Sequence, residues 1–193
     1  MPAQVEDAKL EAAFRALHGS RLHGFALLVA LGEAEAAERA AGEALAAGGR
    51  QAAALSHPER AAAWLRARAL RGLHQSLSRG TRTSPPAKRA ALTSIGVDDT
   101  VYEGLAALSA EGRAALVASA IERFEPRDTE TILGASPPAA RRLIARARDR
   151  FLQVVEGQTA EQSGPSTSEP EGMLAKRIRD VAARAMSPDW KAE

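Results

Sequence analysis

Four residues, Gly134-Ala135-Ser136-Pro137, stop one helix and start the next. Serine caps an N-terminus, and proline at the first helical position gives up an N–H that has no partner there. From Pro137 onward, Ala140, Leu143, Ile144, Ala147, Phe151 and Val154 gather on one face of a helical wheel. Arg142, Arg146 and Arg150 run four apart along one edge of that face, and Arg141 and Arg148 lie on the other. Such a helix can seat its apolar side on a core and still offer guanidinium groups to a phosphate backbone. A solvated arginine face on a bundle helix has the same pattern.

The rest of the chain is written for helix. Aromatic residues make up 4% of the 193 and β-branched residues are scarce beside alanine, so little favours a strand. The length suits one or two small domains. There is no cysteine, which excludes a disulfide framework, a thiolate metal site and a thiol nucleophile, and fits a reducing cytoplasm. Nothing at the N-terminus reads as a signal peptide. The longest apolar run, Phe25 to Leu31, is far short of the roughly 20 residues that span a bilayer. A net charge of +2 hides blocks: cations dominate 57–96 and 136–155, while carboxylates dominate 97–135. Alternating blocks of this kind suit two separate phosphate-facing surfaces.

In chain order, 6–31 reads as a helix weakened at Gly19-Ser20, with a turn at Gly32. Glu33 to Ala47 reads as a second helix ended by Gly48-Gly49, and His57-Pro58 opens a third that runs to about Leu77. On the third, Leu65, Ala69, Leu70, Leu73 and Leu77 form the apolar face. Arg60, Trp64, Arg68 and Arg71 share another quadrant. A tryptophan among arginines suits stacking on a base with phosphates held beside it, or a core-edge ring with arginine stems laid around it. Residues 78–96 read as a basic Pro/Ser/Thr-rich linker. Residues 97–155 read as a second helical domain, and 156–193 as a disordered tail with a short amphipathic helix over 173–186. The expectation is therefore an all-α chain of two small helical domains joined by a flexible linker, the second a helix-turn-helix. No Walker-type loop, zinc-protease or serine-hydrolase motif occurs, and His18 and His23 are poorly spaced for a metal, so neither an enzyme nor a cofactor is expected.

The stretch Leu105 to Phe151 resembles the promoter-reading C-terminal domain of bacterial extracytoplasmic-function (ECF) sigma factors. The residues that carry the resemblance are Ala107-Leu108, Arg113-Ala114-Ala115-Leu116-Val117, Ile132-Leu133-Gly134-Ala135-Ser136-Pro137 and Ile144-Ala145-Arg146-Ala147-Arg148, at the family's spacing without a gap. More weakly, Glu33-Ala34-Glu35-Ala36-Ala37-Glu38 and Ala63-Trp64-Leu65-Arg66-Ala67-Arg68-Ala69 are similar to segments of the family's N-terminal domain, with Arg66 at the usual aromatic. The resemblance implies a 6–77 domain that binds core RNA polymerase through Glu33, Glu35 and Glu38 and melts promoter DNA. It implies promoter contacts from Arg141, Arg142, Arg146 and Arg148, opened-strand contacts from Arg60, Trp64, Arg68 and Arg71, and control by an anti-sigma factor, with no membrane partner. The alternative is a sigma-like adaptor that regulates transcription through protein contacts without reading a promoter. A third reading is a stand-alone helix-turn-helix repressor made of residues 97–155.

Overall fold

A computed structural model describes residues 2–51, 57–78 and 83–162. Those residues form eight α-helices and one π-helical turn, with no strand among them. The N-terminal half holds α1 (Pro2–Val29), α2 (Ala34–Gly49) and α3 (Pro58–Leu77). Then come α4 (Pro85–Ser94), α5 (Asp99–Ala106), α6 (Ala110–Leu116), the π turn Val117–Ile121, α7 (Pro126–Leu133) and α8 (Pro137–Gln162).

Local chemistry places most of these boundaries. Proline stands at the first turn of α3, α4 and α7, where its missing N–H costs nothing. The Asp98 carboxylate accepts from the Val101 N–H at 2.8 Å, and the Ser109 hydroxyl accepts from the Gly112 N–H at 3.1 Å, capping α5 and α6. Gly134 ends α7 with φ of 59°, and the Ala135 N–H closes back on the Glu130 carbonyl at 3.2 Å. Gly19-Ser20 does not interrupt α1, which runs through both residues because the flanking apolar face is already committed to the core.

The core is built largely from small residues. Ala36, Ala37, Ala40, Ala41 and Ala44 give α2 a smooth buried side, so α1, α2 and α3 pack closely. Phe25, Leu22, Leu28, Leu65 and Leu73 supply the bulk. The same apolar cluster continues through Leu92, Val97, Leu105, Val117, Ile132 and Phe151. The boundaries at 78 and 97 therefore do not separate two cores: α1 packs on α6, and α3 packs on α7.

The expected flexible linker is also revised. Within 78–96, Pro85–Ser94 is helical, and both halves hold it. Lys88 pairs with Glu33 at the start of α2, while Arg89 forks between Asp99 (2.7 Å) and Glu103 (2.5 Å) over the ring of Tyr102. Gly32 makes the first contact possible. Its φ is 80°, and any Cβ there would collide with the Lys88 carbonyl. Residues 156–162, expected to be disordered, complete α8. The predicted tail helix over 173–186 lies outside the described residues.

Candidate nucleic-acid interface

The α7–turn–α8 unit presents its arginines as the wheel predicts. Ala140, Ala147, Phe151 and Val155 are buried, while Leu143, Ile144 and Val154 are half-buried. The keel thus lies slightly around the helix from its predicted position, with Val155 replacing Val154 at its deep end. Arg141, Arg142, Arg146, Arg148 and Arg150 are all exposed. Arg141 and Arg148 border a shallow groove of about 380 Å³ on α8, floored by Ile144, Ala145 and Leu152, with Asp149 at its edge. Arg142, Arg146 and Arg150 line the opposite flank.

On α3, Arg60, Arg68 and Arg71 are exposed and Trp64 is half-buried against the core. The Arg68 guanidinium lies 5.8 Å from the Trp64 ring centroid, within cation–π range. The tryptophan therefore stands at the core edge with an arginine beside its ring. α7 packs against both α3 and α8 and so separates the two cationic faces.

No family model, curated protein or solved structure matches this chain. What bears on function is therefore the placement of the side chains. Among the described residues no group of His, Asp and Glu could hold a metal ion, and no helix is long and apolar enough to cross a membrane.

One residue expected on the surface is not there. Glu33 is 5% exposed and paired to Lys88, so it is withdrawn from the polymerase-facing set. Glu35 and Glu38 remain exposed on α2, and Glu35 comes within 4.0 Å of Arg39 one turn on.

Three other charged residues carry structure that the sequence reading overlooked. Arg66 is buried on α3, donates to both carboxylate oxygens of Glu122, and lies 4.9 Å from the Phe124 ring centroid and 5.7 Å from that of Phe25. Burial pushes the Glu122 carboxyl above the usual range, opposed by Arg66 and then Arg21. Arg113 is buried without a carboxylate. It donates to the Val29 carbonyl at 2.6 Å, to Leu108 at 2.6 Å and to Leu105 at 3.4 Å. A signal for Arg66 exists, since it lies three and four positions before Ala69 and Leu70 on the apolar stripe of α3.

The same neighbourhood holds His18, which is buried with its ring tilted against that of Phe14, the centroids 4.6 Å apart. Burial lowers its pKa, and Arg66 and Arg21 lower it further. Burial also lowers His23, opposed by Glu38. Each ring is harder to protonate in the folded chain than in the unfolded one, where the value is near 6.5. As pH falls through that value the unfolded state takes up the proton first, and stability is lost. We expect His18→Gln to flatten this fall. Urea midpoints measured at pH 7.5 and pH 5 should lie closer together in the variant, and an unchanged gap would refute the assignment.

Proposed function

We propose that the chain is a sigma-type transcription initiation factor, binding core RNA polymerase through its N-terminal half and reading a promoter through α8. The observation that carries this reading is the division of α8, directly after the Gly134 turn, into a buried keel and exposed guanidinium edges. A recognition helix in a helix-turn-helix needs that division to dock on its scaffold and enter the major groove together. Arg141, Arg142, Arg146 and Arg148 contact the upstream promoter element in this reading. Arg60, Trp64, Arg68 and Arg71 take the opened strand, the ring stacking on a base while the arginines hold phosphates. Glu35 and Glu38 form the polymerase-facing edge of α2. A cytoplasmic location, control by an anti-sigma factor and the absence of any catalytic role belong to the same reading.

Two measurements test it. Run-off transcription with purified core polymerase on a pool of genomic promoters should yield transcripts that start at a shared motif only when the protein is present. Arg141→Ala/Arg142→Ala should weaken duplex binding and reduce the slope of log K against log salt by about 2, one for each lost phosphate contact. An unchanged slope would remove α8 from the interface.

The adaptor reading is favoured by a specific observation: α7 is seated on α3, so the two cationic faces belong to one packed body. Stable capture of core polymerase or of another sigma factor, with no promoter-dependent transcript, would select it. The stand-alone repressor fits less well, because residues 97–155 alone leave α7 without α3.

A further inference from the structure

The helix that leads into the α7–α8 turn is held from the other half of the chain. α3 is the main packing partner of α7, and Glu122, just before α7, is joined to Arg66 of α3 by a paired hydrogen bond. The two side chains are 4% and 3% exposed. A buried ion pair adds little stability over an apolar pair of the same volume, and its best-attested use is to specify a register or a switch. The other charged groups facing this pair are Arg21 and His18, both from α1.

The backbone on either side of Glu122 is irregular. Immediately before it the chain leaves α geometry for the π turn, where the Glu122 N–H reaches the Val117 carbonyl at 2.9 Å. Immediately after it Arg123 holds φ of 56°, a left-handed conformation that a residue with a Cβ adopts only when its surroundings impose it. The Phe124 N–H then reaches back to the Ala118 carbonyl at 2.9 Å. π turns are frequent at functional sites, and left-handed residues other than glycine cluster at active sites, clamps and switch regions. α8 also touches α7, but its main seat is on α5 and α6, away from this junction.

We propose that the Arg66–Glu122 pair is a latch: closed, it seats α7 on α3, and open, it lets α7 leave α3 while α8 stays on α5 and α6. Arg66 and Glu122 are then positioning residues. They set the angle of the first helix before the turn relative to α8. This holds whether or not the chain is a sigma factor, and its test uses no nucleic acid.

The chain contains no cysteine, so Gln75→Cys on α3 and Thr131→Cys on α7, both exposed sites, can carry spin labels in the full chain. Electron–electron distance measurements should give one short distance with the pair intact. Glu122→Gln removes the charge and keeps the shape. It should raise a longer-distance population about tenfold or more from a minor state, with helical circular dichroism unchanged and amide protection of α5, α6 and α8 retained. Arg66→Met/Glu122→Leu, an apolar pair, should restore the single short distance. The latch is overturned if Glu122→Gln keeps only the short distance, if it melts the chain as a whole, or if the apolar pair leaves the long distance in place.

Discussion

Arg113→Met is expected to lower folding stability by about 2–4 kcal/mol, read as a fall in the urea midpoint at unchanged m-value. Val29 is the last residue of α1, and Leu105 and Leu108 lie at the end of α5 and just beyond it. Their carbonyls belong to helix C-termini, where intrahelical partners run out and partial negative charge collects. One guanidinium fork satisfies all three and ties α1 to α5 and α6. Burial brings the Arg113 pKa down to about 10, opposed by Tyr102, so the group is still charged at neutral pH and its cation faces the carbonyl dipoles. Methionine fills much of the volume but takes the guanidinium donor from the Val29 and Leu108 carbonyls, while the Leu105 carbonyl keeps the Leu108 N–H at 3.1 Å. Lysine should recover less than half of the loss, because one ammonium cannot reproduce the fork. A variant with the parent midpoint would mean that water or backbone relaxation replaces the arginine.

Phe151→Ala is expected to cost about 3–5 kcal/mol, the range for deleting a fully buried phenylalanine. Phe151 is 1% exposed, and its ring lies against Gly104 of α5 so closely that a Cβ at Gly104 would sit 2.6 Å from the ring edge. The ring anchors the middle of α8. The neighbouring Arg150→Ala, on the exposed edge, should change stability by no more than about 0.5 kcal/mol. Denaturant midpoints of the two variants, one residue apart, therefore test the two-faced reading of α8 directly. Equal losses would show that the edge arginine is also packed.

Elements written in local chemistry were legible from the sequence. His57-Pro58 and Gly134 to Pro137 announced helix ends because a cap, a proline or a glycine acts on its immediate neighbours. The arginine edges of α8 were legible for the same reason, since they follow from the 3.6-residue period. What escaped depends on partners far along the chain. Arg66 and Arg113 were given no place in the core, and their burial makes sense only once Glu122, 56 residues on from Arg66, and the Val29 carbonyl, 84 residues back from Arg113, are brought to them. Pro85-Pro86 and the surrounding Ser/Thr residues suggested a tether. Ser84-Pro85 is also a helix start, and what the sequence did not show is that Lys88 and Arg89 of α4 find carboxylates on opposite halves. Glu33 was misplaced by the same logic: an acidic residue at a helix start reads as solvated until a lysine from α4 is laid over it.

The seating of α7 on α3 also orders events during synthesis. α1, α2 and α3 pack mainly on one another and are complete once residue 78 has left the ribosome. α7 follows some fifty residues later and finds its platform already built, so the distant contact it needs is made against a finished surface. A ribosome stalled so that residue 133 has just emerged, with α8 still inside the exit tunnel, should therefore carry a chain in which α7 is already docked on α3.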